Sequence, residues 1–481
     1  MSLECQQVEL RVRFSAVTTA DRFLPEKLSL RLRPWLSRLD QLLDGSNEHA
    51  VAQRVSLIAF LVRVISAGIA LISQVIFARW MGPFEYGIFV LVWVTVVILG
   101  NLSCLGFQTT VIRFVPEYLE RRQYDLLRGI LFTSKTFAVG MTTCIALAGA
   151  ALIYATRDLI ETYYVAPFLV GLICLPMIAL GDTLDGTARS RSWVLVALTP
   201  TYIIRPVLTL VVMSIAHISG LAPTAMTALG SAVVATYVTS VLQFFAVRKR
   251  FSGVVPPGPR AIHFRDWLAV SLPIFLVEGF FFLLTNADVL MVGRYMDPDK
   301  VATYYATVKL LALVHFVYFS VKAGAAQRYS ELMQNFDHAR LEQFARDTAR
   351  WTFWPSLTMA IILLVLGKPL LWLFGAQFTD GYPLLFIMVI GVVARASVGP
   401  AESLLNMAGK QKICAIVYAI TLAVNICLSI LMIPLYGLAG AACATAASMV
   451  FEALVLALTV YNRLNITMFV FAGRSPAKEE I

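Results

Sequence analysis

A chain of 481 residues with 59% hydrophobic and only 14% charged side chains has too little polar surface to coat a water-soluble globule, which carries roughly a quarter charged residues. The net charge of +10 speaks for acidic partners such as anionic lipid. The seven cysteines and five histidines show no metal-ligand spacing, so the cysteines read as small apolar core residues, and no metal, cofactor or nucleic acid is expected.

The apolar runs are long and continuous rather than alternating. Lipid demands that every backbone polar group be paired internally, so such runs become helices of about 20 residues. Residues 1–53 come first, as a basic arm carrying Arg11, Arg13, Arg22, Lys27, Arg31, Arg33 and Arg38 among leucines. Such an arm lies on an anionic membrane surface or stays without structure; it has no signal-peptide pattern. Twelve spans follow: 55–77, 86–107, 129–154, 163–180, 193–215, 223–247, 267–292, 301–326, 351–374, 382–407, 413–433 and 438–460. The fold expected is all-α and polytopic, with a first lobe over 54–247, a basic, proline-rich linker over 248–265, a second lobe over 266–463 and a tail over 464–481.

Positive charge orients the spans. The arm, the even-numbered connections and the tail hold 29 Lys and Arg residues, against 5 in the odd-numbered connections. Both termini are therefore expected in the cytoplasm, with the protein in the inner (plasma) membrane.

An internal repeat is visible. Arg79-Trp80-Met81-Gly82-Pro83 follows the first span, and Arg294-Tyr295-Met296-Asp297-Pro298 follows the seventh. The offset of 215 also maps Arg113-Phe114 onto Arg328-Tyr329. Six spans separate the copies, so the two lobes point the same way. Parallel repeats are a known transporter plan, with the site between the halves near the bilayer midplane.

With Lys322 and Lys368, near span ends, counted among the connections, five cations remain deep inside the spans: Arg63, Lys135, Arg205, Lys309 and Arg395. A charge at that depth costs at least ~2.5 kcal/mol and marks a bundle interior or a water-filled cavity. Arg63 is nine residues past Arg54, or roughly 13 Å along the helix. Lys135 is close enough to the cytoplasmic face to snorkel. Deep anions are fewer: Glu278, Asp288 and Glu452, with Asp182 and Glu402 nearer the ends of their spans. A cationic cavity suits an anionic guest, and the arginine fork matches phosphate oxygens. The seventh span also holds Pro273 and Gly279. Glu278, Asn286 and Asp288 thus sit on a helix able to bend, a place to couple a proton or a sodium ion, unless Asp288 merely pairs with an arginine of the other half.

Three stretches carry a family resemblance: residues 76–87 with the outer turn Ala78-Arg79-Trp80-Met81-Gly82-Pro83; Tyr202-Ile203-Ile204-Arg205-Pro206; and Leu404 to Lys410 running on through Asn425, Pro434, Gly437 and Gly440-Ala441-Ala442. Asn286-Ala287-Asp288 also looks like the family's aspartate in the seventh span. The chain resembles the polysaccharide transporters (Wzx-type O-antigen flippases) of the MOP exporter superfamily, which also holds the MATE drug exporters and the lipid II flippases. That resemblance implies two six-helix lobes around a V-shaped cavity, alternating access, and export of a polyprenyl-diphosphate-linked glycan. It does not extend to the arm.

The expected function is therefore a flippase for undecaprenyl-diphosphate-linked repeat units, with Arg63, Arg205, Arg395, Lys309 and Lys135 on the substrate. The competing reading is a MATE-like ion-coupled antiporter of small molecules. An enzyme is not expected, since no connection is large enough for a catalytic domain. The nucleotide-binding pattern GxxxxGK[ST] is absent, so energy must come from gradients, membrane potential or substrate accumulation.

Overall fold

In the computed structural model, residues 48–334 and 338–472 are described. The arm before residue 48 and the tail after residue 472 lie outside them. The chain divides into two units, Met1–Val64 and Ile65–Ile481. Of the first, the described part is the helical stretch from Glu48 onward.

Every regular element among the described residues is helical. Among the described residues nine helices are long and apolar enough to cross a membrane, and Thr162–Leu172 with Leu175–Arg189, bent by 43°, makes a tenth when counted as one span. Two of the nine contain a residue that leaves helical geometry: Gly82 at φ 73° and Gly437 at φ 59°. Each joins two helices across a kink, and counting them separately gives twelve apolar spans among the described residues. Glycine tolerates that left-handed backbone, whereas an L side chain costs roughly 1–2 kcal/mol there. Pro83 then opens the second span, where its missing N–H is no loss.

The spans differ from their expected bounds in instructive ways. The eighth runs Pro298–Gln334 and the ninth His338–Phe374, so most of the connection between them is helix. The second span ends at Ser103, and a separate amphipathic helix, Phe107–Glu120, follows a turn with Leu105 and Gly106 at positive φ. The repeat is thus matched at its outer turn and unmatched at its other end. The fifth span passes through a π-helical turn at Pro200–Ile204. The seventh breaks between Leu284 and Ala287. The tenth breaks between Val398 and Ala401, at Gly399 and Pro400.

Within Ile65–Ile481, packing joins the lobes at one end. The largest apolar core takes Phe77, Tyr86 and Phe89 from the first lobe with Tyr304, Leu310 and Phe378 from the second. A Cβ on Gly87 would lie 1.9 Å from the Pro298 carbonyl oxygen, so the two repeated turns touch. This is the turn end of the bundle. A second core, around Tyr329, Leu341, Leu404 and Val460, belongs to the last six spans and lies toward the opposite, linker end. The first span follows the same gradient. From Ile65 to Ile72 it buries Ser66 alone, whereas Phe77, Ala78 and Met81 are fully packed.

Candidate functional site

The deep charges fall into separate clusters. In the first lobe, Arg205 is buried at the end of the π-helical turn. A Cβ on Gly181 would lie 3.2 Å from its Nη2 and 3.4 Å from Ser240 Oγ. That glycine admits the guanidinium between the fourth and sixth spans. Asp182 is the strongest charge acting on Arg205 and also meets Asn101 Nδ2 at 3.5 Å. The sixth span closes the pocket: Gln243 Nε2 donates to the Val196 carbonyl at 3.1 Å, and Ser240 Oγ to Met177 at 2.8 Å. Arg205 Nε is buried and has no hydrogen-bond partner.

The second lobe holds a larger cluster. Arg395 Nη2 stands 3.1 Å from Glu452 Oε1, with both side chains buried. Lys322 Nζ stands 2.8 Å from Glu402 Oε1, and the Tyr318 hydroxyl donates to the same carboxylate. The Arg395 guanidinium lies 4.8 Å from the Tyr318 ring and 5.7 Å from the Phe281 ring, and Lys322 lies 5.4 Å from Phe281. Two cations thus share one apolar, aromatic box with two carboxylates, and the cluster is neutral. Burying such charges is tolerable only because each has a partner.

Asp288 is buried just past the break in the seventh span. Its Oδ1 accepts the Val289 amide at 2.9 Å, capping the new helix. Its Oδ2 accepts the Tyr304 hydroxyl at 3.0 Å, and that hydroxyl lies 3.0 Å from Thr445 Oγ1. Lys309 is half-buried, 4.6 Å from the Tyr305 ring, and its charge reaches Asp288. The seventh, eighth and twelfth spans therefore converge on one carboxylate. Asn286 turns back on its own helix, donating to the Phe282 carbonyl at 2.9 Å.

Glu278 is exposed and faces the first lobe, accepting from Thr109 Oγ1 at 2.8 and 3.1 Å. It is the acidic group that bridges the seam between the lobes. At the turn end Arg79 bridges the same seam. Its Nε and Nη2 donate to the carbonyls of Leu373 and Trp372 at 2.7 and 2.9 Å, the last turn of the ninth span, and its guanidinium lies 4.9 Å from the Trp372 ring. A cation suits the negative end of a helix. The matching Arg294 does not latch; it lies 5.8 Å from the ring of its own neighbour Tyr295. Pro83 and Pro298 start the paired second and eighth spans. Lys135 is half-buried in the third span, 5.6 Å from the Phe244 ring. Arg63 is exposed on the first span.

Lys135, Arg205, Lys309 and Arg395 therefore do not converge on one point. Lys322, counted from the sequence with the connection after the eighth span, sits inside the eighth helix. Glu402 and Glu452 balance Lys322 and Arg395, so this cluster carries no net positive charge. The depth of Lys322 was masked because it lies four residues from the expected end at Ala326, whereas the helix continues to Gln334. Thr109, Tyr304 and Tyr318 carry no charge, and nothing in sequence spacing marks them.

The family described as polysaccharide biosynthesis protein matches residues 53–326, more than half the chain. The chain belongs to that family. The MatE family model matches residues 273–431, within the second lobe. A provisionally named O-antigen transporter of Shigella flexneri is 26% identical over 199 residues, covering 41% of this chain and 46% of that protein. The matched region thus spans less than half the length of that relative. Solved structures share the fold. A multidrug resistance MATE transporter in its inward-facing conformation aligns with a TM-score of 0.69 at 14% identity, over 84% of this chain and 98% of its own. The lipid II flippase MurJ, inward closed, gives 0.66 at 18%, over 84% and 87%. A Pyrococcus furiosus MOP transporter, whose binding pocket is described as reversed in polarity, gives 0.61 at 15%, over 88% and 97%.

Proposed function

We propose that this protein is a transporter, a flippase that carries a polyprenyl-diphosphate-linked oligosaccharide from the inner to the outer leaflet by alternating access. The observation that carries this reading is the one-sided closure of the seam in a chain of a polysaccharide biosynthesis family. Turn-end residues of both lobes share one core, while the first span buries only Ser66 between Ile65 and Ile72. The basic excess in the arm, linker and even-numbered connections orients that stretch toward the cytoplasm, where lipid-linked repeat units are assembled, with both termini inside.

In this reading the diphosphate is drawn by Lys309 and the Arg205 pocket, with Arg395 held by Glu452 until the second lobe rearranges. Asp288 is the coupling group for a proton or sodium ion. Its carboxylate joins three spans at a helix break, so a change in its charge or ligation alters how they pack. Glu278 releases Thr109 as the seam moves. The protein moves its cargo without covalent chemistry, and one chain supplies a complete pathway.

The test is replacement of Arg205 by Ala in cells that make the surface polymer. Loss of surface polymer at normal protein level supports the reading; undiminished polymer overturns the role of that pocket. The MatE match over residues 273–431 favours a second reading, ion-coupled antiport of small molecules. Efflux of an organic ion by proteoliposomes that leave lipid-linked glycan unmoved would establish it instead. Cysteine labelling in a background free of native cysteines checks the orientation: Ser219→Cys at the turn end should react from outside, and Ser252→Cys only after permeabilisation.

A further inference from the structure

The third span carries a polar feature on the face turned away from the seam. Phe132, Lys135, Thr136, Val139 and Gly140 recur at helical spacing along one side of the helix. Phe137 lies on the other side, packed against Phe107 and Phe264 at 5.1 and 5.4 Å, where the lobes meet. Between the former face and the fourth and sixth spans lies an open crevice of about 400 Å³, lined by Lys135, Thr136, Val139, Gly140, Leu180 and Phe244. A Cβ on Gly140 would meet nothing within 4 Å.

Cations gather at the linker end of this crevice. The Arg260 guanidinium lies 4.2 Å from the Phe132 ring, one turn above Lys135. The backbone holds it there. Arg128 donates to the carbonyls of Pro256 and Pro259 at 2.8 and 2.7 Å, and the Ala261 amide donates to the Asp125 carbonyl at 3.1 Å. Gly129 completes the clamp, since a Cβ there would fall 1.8 Å from the Ala261 oxygen. Arg248, at the end of the sixth span, joins Arg260 in acting on the Lys135 ammonium. Among the described residues none of the three has a carboxylate within ion-pair distance. Three like charges at the mouth of an apolar, lipid-facing slot repel one another until an anion joins them.

We propose that this crevice binds one anionic phospholipid of the bilayer, its headgroup phosphate held by Lys135, Arg248 and Arg260 and an acyl chain lying along Val139, Gly140 and Leu180. Basic pockets between spans on the cytoplasmic side suit such headgroups. The lipid is a resident rather than the cargo, because the crevice opens away from the seam. Bound there, it ties the linker to the first lobe and fixes the start of the seventh span.

The test is native mass spectrometry of the full-length protein with phosphatidylglycerol, with phosphatidylcholine, and with inorganic phosphate as competitor. Wild type should retain phosphatidylglycerol at least tenfold better than phosphatidylcholine. The double variant Lys135→Ala, Arg260→Ala should lose at least tenfold of that retention, since each surface cation contributes about fivefold, whereas Lys135→Arg should keep it. Equal retention of the two lipids, an unchanged double variant, or displacement by millimolar phosphate would each overturn the proposal. A photo-crosslinking residue at Val139 of otherwise wild-type protein supplies a measurement free of folding defects: it should capture labelled phosphatidylglycerol in vesicles, and no capture counts against the site.

Discussion

At the residue scale the structure separates charges that fasten the bundle from charges that can move. Arg395 and Glu452 are fasteners, buried and 3.1 Å apart. Removing one partner of such a pair strands the other in an apolar box, at a cost of about 3–5 kcal/mol. Glu452→Ala should therefore lower the midpoint of thermal unfolding in detergent sharply, and adding Arg395→Met should recover most of the loss. A double variant no more stable than Glu452→Ala alone would show that the pair does not act as a unit. Arg79 is the opposite case. It is exposed, and it joins the lobes through two backbone carbonyls of the ninth span. Charge-assisted bonds of this kind contribute about 1.5 kcal/mol or more, roughly a tenfold change in population. Arg79→Ala should open the turn end, seen as a longer distance between spin labels placed across it. Arg79→Lys should restore it in part, since a single ammonium cannot engage both carbonyls as the fork does. The sequence shows which charges are deep; pairing across spans depends on tertiary packing, so the Arg395–Glu452 and Lys322–Glu402 contacts were not legible in it.

At the element scale the breaks matter more than the spans. Hydropathy reports the average apolarity of a window, so it located twelve spans and both outer turns. It does not register a break inside an apolar run. The interruptions of the seventh span at residues 285–286 and of the tenth at Gly399 and Pro400 therefore emerged only in the structure, as did the extension of the eighth span to Gln334. The repeated turns were legible because Arg79 to Pro83 and Arg294 to Pro298 lie at one offset, and the structure brings them into contact at Gly87 and Pro298. That contact leaves no room for a side chain. Gly87→Ala should push the second and eighth spans apart and bias the transporter toward turn-end opening, measured as faster labelling of a cysteine at the second span's outer end. Unchanged labelling would mean that the seam does not close there. Gly437→Ala should instead destabilise the joint between the last two spans by roughly 1–2 kcal/mol, without shifting that labelling.

At the scale of the whole molecule, residues of both lobes within Ile65–Ile481 share one core at the turn end, and between Ile65 and Ile72 the first span buries only Ser66. The fold class and its parallel repeat were readable from the sequence. A single cationic cavity was the expectation; the structure distributes the cations instead, with a buried pocket in the first lobe, a neutral box in the second, and a basic crevice on the outer face of the third span. Cargo with a diphosphate carries negative charge, and one charge crossing the bilayer is worth ~2.3 kcal/mol per 100 mV. Transport should therefore respond to an imposed potential in proteoliposomes, and a rate indifferent to potential would remove charge movement from the mechanism. The most direct measurement is flipping itself: purified protein in vesicles carrying a polyprenyl-diphosphate-linked oligosaccharide in one leaflet, with its appearance in the other followed by an impermeant glycosidase. The account predicts transfer well above that of protein-free vesicles, and a fall of at least tenfold with Arg205→Ala; folded wild-type protein that leaves the glycan as immobile as in empty vesicles would contradict it.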